Sequence, residues 1–563
     1  MKKITFILIS LFSLVACGGG GGGGGNSSNN PTPTPPNTNT GNSNTPNPAP
    51  PKPSYNTFNG EIIAADNDNY NIPYRRRLSD VDGGENSKFN YYGNIKWNGN
   101  FSYNSNNPQN NSERYYTGYN VKVGVIDTGF TGDYYDDLYR EVKNITRVYS
   151  SRNSGDEDHG YMVTSLIAGK EGIAPDADMY VIDGTDNEDT DKLNVTTDLY
   201  QKLYDKGVRI FNNSFGAEYE TYSDKGDDFY ESQLSRSTLD FYKTAVANGS
   251  LFVFSAGNEE YNTSLLRATL PYWLPELEEG WINVNGLTSK TSGQKGNFNF
   301  NNFKPFAGAA GAKNWTVTTI ADYYIEVDGS RRVRSGTSFA APWISRKLAY
   351  LINILGLSKE TAKALIIDSA TGWNKQVYSS SLIGYGVVPI KISDVIQSSN
   401  DEIKFIIDGV SEKYDTYTYS IPVPDDGKNQ PFISKVTLCY FPNCSRNQGV
   451  DYTNTEMDIK FGRLNIKKGK DGKKDRIDIE DINDNKQSEE VNYYLYEEDA
   501  RKLFRKWDNI KHKREYLVTK KGGKRQGKKK KENPLWGISI KTKERLNSKD
   551  GKSLKFGLVI TLK

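Results

Sequence analysis

Three short runs of β-branched and aromatic residues constrain the fold of this chain most, because each ends in a polar residue followed at once by a turn. They are Val121-Lys122-Val123-Gly124-Val125-Ile126-Asp127-Thr128-Gly129, Arg209-Ile210-Phe211-Asn212-Asn213-Ser214-Phe215-Gly216 and Leu251-Phe252-Val253-Phe254-Ser255-Ala256-Gly257-Asn258. Apolar runs of this length suit strands buried on both faces of a parallel sheet. The first delivers Asp127 at a carboxyl end, where open α/β sheets keep their sites.

Two further segments add reactive groups. His159-Gly160 opens Tyr161-Met162-Val163-Thr164-Ser165-Leu166-Ile167-Ala168-Gly169, whose small and apolar residues recur at helical spacing and place the imidazole on the first turn. Ser335-Gly336-Thr337-Ser338-Phe339-Ala340-Ala341-Pro342 sets a serine between a glycine-bearing turn and an apolar helix of roughly Ser338 to Leu355. A helix start holds such a serine rigidly and borders it with free backbone N–H groups. A serine hydroxyl needs a nearby base, usually histidine, and a third group that orients the base. The chain has only two histidines, and the other, His512, lies in a lysine-rich stretch, so the base is named by composition. Asn258 closes its strand with an amide that can donate to a tetrahedral oxyanion, with the Ser338 backbone N–H beside it; one such donor contributes roughly 2.7–4 kcal/mol.

The order Asp127, His159, Ser338 is that of the subtilisins. Val125-Ile126-Asp127-Thr128-Gly129, His159-Gly160, Gly172-Ile173-Ala174-Pro175, Asn213-Ser214-Phe215-Gly216, Ser255-Ala256-Gly257-Asn258 and Gly336-Thr337-Ser338-Phe339-Ala340-Ala341-Pro342 resemble the signature blocks of subtilisin-like serine peptidases, in family order. Gly384-Tyr385-Gly386 resembles the family's closing turn. The resemblance covers roughly Tyr115 to Val395, about half the chain. It implies Asp127, His159 and Ser338 as the triad and Asn258 as oxyanion donor. It also implies Ser214, Phe215, Gly216, Ala256 and Gly257 as walls of the main specificity pocket. Two departures from the pattern, Tyr161-Met162 after His-Gly and Asn213 before the serine block, are expected near the substrate cleft.

Targeting is legible at the N-terminus. Lys2-Lys3 precede an apolar run, Ile4 to Val15, too short for an ordinary spanning helix and suited to a secretory signal. Leu14-Val15-Ala16-Cys17 resembles a bacterial lipobox, which implies lipidation of Cys17; cleavage at another small residue is the competing reading. Gly18 to Gly25 and the Asn/Ser/Thr/Pro-rich stretch to Pro53 cannot bury a core and read as a tether. The combination resembles lipoprotein autotransporter proteases with a subtilisin-like passenger. Such proteins end in a membrane β-barrel, and the C-terminal region here lacks a series of strands with an apolar outer face.

The expected organisation is therefore a signal peptide at 1–16, a tether at 17–54, an extension or pro-segment at 55–115, a subtilisin-like α/β peptidase domain at 116–397 and a β-sandwich of jelly-roll type at 398–563. The sandwich is read from alternating runs: Ile403–Ile407, Thr416–Tyr419, Lys435–Tyr440, Met457–Phe461 and Leu554–Leu562. Lys502 to Trp507 reads as a helix between strands, and the basic run Lys511 to Lys531 reads as a solvated loop, with an anionic surface as the sharper alternative. Cys439 and Cys444 are either a disulfide closing a tight loop or two half-buried thiols. Asp156-Glu157-Asp158 offer oxygens to Ca²⁺, against the blander reading of an exposed acidic turn. The family resemblance implies a structural Ca²⁺ somewhere in the domain; the chemistry itself requires no cofactor. Three cysteines and two histidines at these spacings argue against a zinc protease. A net charge of +3 over 563 residues gives no argument for nucleic acid.

The expected function is a lipid-anchored, extracytoplasmic serine endopeptidase at the outer membrane or cell surface, acting on polypeptides. Two other readings stay open: an inactive surface-binding protein on the same scaffold, and a processing protease dedicated to one partner. The oligomeric state is left open.

Overall fold

The computed structural model describes residues 56–57, 62–65, 76–77, 121–130, 142, 144–150, 158–169, 177–186, 192–216, 218–220, 234–258, 263–289, 303–305, 317–327, 330–354, 357–370, 384–388, 395, 403–411, 416–421, 431–441, 455–467, 476–481, 510–518, 536–544 and 554–562. Its centre is a parallel sheet. Strands β1 (Lys122–Asp127), β2 (Ile145–Ser150), β3 (Asp178–Asp183), β4 (Ile210–Asn213), β5 (Leu251–Ser255) and β6 (Trp281–Ser289) lie in the order β6-β5-β4-β1-β3-β2. Every pair in that run is parallel, and β7 (Val317–Ile320) adds in parallel to the far half of β6. The chain builds β2 and β3 on one side of β1 and then returns to lay β4 on the other. That reversal makes the carboxyl ends of β1 and β4 the expected place for a site.

Alternation along the strands divides the core in two. Val123 and Val125 of β1 face helices α1 (His159–Ala168) and α4 (Thr337–Ala349), whereas Ile126 faces α2 (Thr197–Asp205) and α3 (Arg236–Ala247). The second face is aromatic: Phe211 stacks on Phe252 at 4.7 Å, and Tyr242 meets Trp281 edge-on at 5.1 Å. Such pairs add about 0.5–1.5 kcal/mol beyond area burial. Gly124 lies on this face because a β-carbon there would stand 2.9 Å from Val208 and 3.0 Å from Leu203. The helix expected over Ser338 to Leu355 is α4 as far as Ala349, then a π-turn at Tyr350–Ile354.

Helix α5 (Lys359–Ser369) joins this half to the C-terminal sheets. Ser358 caps it, its hydroxyl accepting from the Thr361 N–H at 3.1 Å. The C-terminal strands are β8 (Ile403–Ser411), β9 (Thr416–Ile421), β10 (Pro431–Tyr440), β11 (Thr455–Lys467), β12 (Arg476–Asp481), β13 (Ile510–Val518), β14 (Trp536–Glu544) and β15 (Leu554–Leu562). They form two antiparallel sheets, β8-β15-β10-β13 and β9-β14-β11-β12, and a buried Ser411–Thr542 hydroxyl pair at 2.5 Å links one to the other. The expected sandwich is present. The basic run is not all loop, because its first residues pair in β13, with His512 opposite Thr437 of β10. Short strands at Ile62–Ala65 and Arg76–Arg77 extend the C-terminal sheets through β9 and β8, so these parts of the 55–115 extension lie on the sandwich side. Cys439 is a free, fully buried thiol whose pKa is pushed up by burial. Cys444, the Lys502–Trp507 segment, Cys17 and the tether lie outside the described residues.

Candidate active site

The carboxyl end of β1 and the first residue of α1 meet. Gly160 donates its backbone N–H to the Thr128 carbonyl at 3.0 Å, and a β-carbon at 160 would stand 2.2 Å from that oxygen. Only glycine lets the start of α1 press this closely on the exit from β1. The result is a 2.7 Å hydrogen bond between His159 Nδ1 and Asp127 Oδ1, with Asp127 fully buried and the His159 side chain 13 % exposed. A carboxylate only accepts, so this bond places a proton on Nδ1 and leaves Nε2 as the basic nitrogen of a neutral ring. The same Asp127 oxygen accepts from the Thr128 N–H at 2.8 Å.

Ser338 lies on the first turn of α4, which packs on the same face of the sheet as α1. The His159 ring lies 5.7 Å, centroid to centroid, from Phe339, the residue after the serine. The Ser338 hydroxyl donates to the Ser214 carbonyl at 3.0 Å. Asp127 and His159 are thus bonded to each other, and Ser338 is placed near them through its neighbour Phe339.

Asn258 is held in one orientation by neighbours whose roles leave no choice. The Thr337 N–H, which can only donate, lies 2.7 Å from Asn258 Oδ1, and the Thr337 hydroxyl lies 3.0 Å from the same oxygen. That hydroxyl in turn accepts from the Gly257 N–H at 3.0 Å. With Oδ1 fixed on Thr337, Nδ2 points the other way, past Gly336, where a β-carbon would come within 3.3 Å of it. Gly257 has φ 112°, a left-handed value that favours glycine.

The expected pocket residues leave adjacent strands. Ser214, Phe215 and Gly216 follow β4, and Ala256 and Gly257 follow β5; Ala256 donates to the Val284 carbonyl at 2.9 Å, and Phe215 meets Phe254 edge-on at 6.3 Å. The two departures expected near the cleft are interior instead. Tyr161 and Met162 belong to the core around α1. Asn213 is fully buried against the aromatic face, where its Oδ1 accepts from the Tyr200 hydroxyl at 2.7 Å. Period two along β4 puts Asn213 on the aromatic face and Asn212 on the other, which the identity of the residues could not reveal.

Sequence reasoning also passed over Asp183. It ends β3 in register with Asp127 on the neighbouring parallel strand and is fully buried. Burial raises its pKa, two hydrogen bonds from Thr185 oppose that shift, and the Asp127 charge adds to it. The signal was available: an acid closing a second apolar run, Met179-Tyr180-Val181-Ile182-Asp183. Asp158 stands just before α1, while Asp156 and Glu157 fall outside the described residues. Among the described residues no group of three or more His, Cys, Asp or Glu side chains is placed to hold a metal.

Residues 118–386 match the Subtilase family of peptidases, and this part of the chain is a subtilase-family serine peptidase domain. Serotype-specific antigen 1 of Mannheimia haemolytica is 27% identical over 218 residues, covering 36% of this chain and 22% of that protein. The autotransporter lipoprotein NalP of Neisseria meningitidis (strain H44/76) is 26% identical over 255 residues, covering 32% of this chain and 23% of the relative. The matched part is thus less than a quarter of each of these relatives. Among solved structures, the patellamide maturation protease PatA is 18% identical, with a TM-score of 0.37 over 50% of this chain and 98% of that one. The MycP3 protease of a type VII secretion system is 16% identical, with a TM-score of 0.34 over 50% and 84%. No helix among the described residues is long and apolar enough to cross a membrane.

Proposed function

We propose that this chain is a subtilisin-type serine endopeptidase, and the observation that carries the reading is the 2.7 Å Asp127–His159 bond, with Phe339, the residue after Ser338, 5.7 Å from the imidazole. Ser338 attacks a peptide carbonyl as its proton turns from the Ser214 oxygen to His159 Nε2. His159 then protonates the leaving amine, and water repeats the sequence on the acyl-enzyme. Asp127 keeps the imidazole in its productive tautomer and stabilises the imidazolium. Asn258 Nδ2 and the Ser338 N–H receive the oxyanion. Ser214–Gly216 and Ala256–Gly257 line the bound chain, which is supported by their exit from adjacent strands beside Ser338.

The same reading extends to place and partner. Cys17 carries a lipid that anchors the enzyme on the outer membrane or cell surface, supported by the lipobox-like Leu14–Cys17 and by a relative described as an autotransporter lipoprotein. The structural Ca²⁺ that the family resemblance implies finds no cluster of three or more acidic, His or Cys side chains among the described residues, and none of the steps above needs it. Incubation with a fluorophosphonate, followed by peptide mapping, tests the reading: the adduct is expected on Ser338 and absent from His159→Ala. Folded wild-type chain that takes up no probe and cleaves no unstructured protein defeats it. Metabolic palmitate labelling that persists in Cys17→Ala defeats the anchor alone.

A further inference from the structure

Pro342 sits inside α4, four residues after Ser338. A proline has no N–H, so the carbonyl of Ser338 is denied the hydrogen bond that an α-helix would give it. The donor comes from another strand: the Ser214 hydroxyl lies 2.7 Å from the Ser338 oxygen. A carbonyl only accepts, so the Ser214 proton is committed there, and the Ser214 oxygen must itself accept. Its partner is the Asn212 amide at 2.9 Å, which therefore presents Nδ2 to Ser214. The other end of that amide is then Oδ1, and it receives the Ser345 hydroxyl at 2.8 Å. Every proton in the series has a fixed direction, from Ser345 to Asn212 to Ser214 to Ser338.

Both ends of the series lie on α4. Ser338 and Ser345 are seven residues apart, two turns of one helix and the same face. The middle, Asn212 and Ser214, lies on β4 and the turn after it, and Asn212, Ser214 and Ser345 are all buried, none more than 1 % exposed. Ser214 also accepts the Ser338 hydroxyl on its own carbonyl at 3.0 Å, so the two serines are joined twice. Buried polar groups this completely paired resist rearrangement, and a displacement of any one moves the others.

We infer that Asn212 and Ser345 are positioning residues that hold Ser214 as a clamp on the nucleophile, fixing Ser338 by supplying the backbone hydrogen bond that Pro342 removes. The inference rests on the peptidase reading. Its function is rotational: Ser338 can pass its proton to His159 only if α4 keeps its first turn where the hydroxyl swings between Ser214 and the imidazole. Asn212 and Ser345 themselves touch no substrate, and a fluorophosphonate reads Ser338 without a peptide laid along Ser214–Gly216, so with this probe the effect belongs in the chemical step and not in binding.

The test uses full-length chain and a fluorophosphonate, with the maximal inactivation rate and the concentration for half-maximal rate measured separately and Tm recorded for each variant. Ser345→Ala should lower the maximal rate about threefold to tenfold and Asn212→Ala about tenfold or more, with half-maximal concentrations unchanged, since small misplacements of reacting atoms are expensive. The double variant should be no slower than Asn212→Ala, because the two act through one path. Asn212→Asp keeps the acceptor for Ser345 and loses the donor for Ser214, and should resemble Asn212→Ala. In a Pro342→Ala background the helix provides its own donor to Ser338, and the Ser345→Ala loss should shrink. Wild-type chain that is not labelled at Ser338 overturns the peptidase reading. Labelled wild type with variants of unchanged rate, with additive losses, or with losses that follow Tm or half-maximal concentration, overturns the clamp.

Discussion

The molecule buries aspartates in two places and treats them in opposite ways. At the junction of α5 with the C-terminal sheets, Asp368 accepts from Thr437 at 3.2 Å on one oxygen and from Thr561 at 2.6 Å on the other. Asp408 likewise uses both oxygens, taking the Thr361 hydroxyl at 2.5 Å and the Ser358 hydroxyl on one and the Ser358 N–H at 3.1 Å on the other. In the cleft, Asp127 and Asp183 lie side by side, and each keeps one buried oxygen with no partner among the described residues. A buried acceptor left unpaired costs about 1–3 kcal/mol. The junction thus pairs every oxygen of its carboxylates, whereas among the described residues one oxygen of each cleft aspartate is left without a hydrogen bond, with the Arg147 charge acting on Asp183. That is the arrangement an imidazolium beside Asp127 would use.

Loss of the base gives the largest contrast. On the peptidase reading, His159→Ala should lower kcat by about 10⁴-fold or more. His512→Ala, in β13 on the far sheet, should leave kcat within about twofold of the parent. Steady-state cleavage of a quenched peptide reads both, and an essential His512 would move the chemistry to the wrong half of the molecule. Asn258→Ala comes next, with kcat expected to fall about 10²–10³-fold while KM holds, because the bond strengthens only as the oxyanion forms. A change confined to KM would make Asn258 a substrate ligand and weaken the case for a cleft tuned to charge.

The cleft was also the more legible half. Asp127, His159 and Asn258 could be placed in advance because parallel strands deliver their last residue to one edge and because a helix start fixes its first side chain. The residue pattern supplied their locations and, with only two histidines in the chain, the base; the resemblance to subtilisin-like sequences supplied the full set of roles. What the pattern could not supply was facing. Asn213 and Asn212 are adjacent and identical in kind, yet one meets Tyr200 and the other Ser345 across the sheet. In the sandwich, β8, β10 and β15 announced themselves by alternation, whereas β12 and β13 did not. Both are at sheet edges, where one side of the strand needs no partner and charges are tolerated. Central β14 was missed for another reason: Ile538 and Ile540 do alternate, but the lysine-rich stretch before them obscures where the strand begins. The junction carboxylates were invisible because Asp368 and Asp408 find their partners 47 to 193 residues away.

Removal of a junction carboxylate should act on stability alone. Asp368→Ala strands the Thr437 and Thr561 hydroxyls in the interior and should destabilise the chain by about 1–3 kcal/mol for each group left unpaired. A thermal melt measures the loss, and kcat per labelled Ser338 should stay at the parent value below the transition. A variant as stable as the parent would mean that the sheets contribute little to holding α5.

The smallest effect should have the opposite sign, and it belongs to Asp183. Its pKa is raised in the folded chain, first by burial, so the folded state binds that proton more tightly than the unfolded state. Below the unfolded-state pKa both states are protonated and the residue carries no penalty. As pH rises through the folded-state value, the fold is obliged to hold a buried charge beside Asp127, and the penalty grows until the carboxyl is fully ionised. Asp183→Asn keeps an oxygen for the two bonds from Thr185 and removes the charge. It should therefore raise Tm slightly at pH 7 and leave it unchanged near pH 3, a difference smaller than the Asp368→Ala loss and opposite in direction. Melts of parent and variant across that range decide it. A variant that is less stable at pH 7, as Asp368→Ala is expected to be, would show that the cleft aspartates support the fold in the same way as those at the junction.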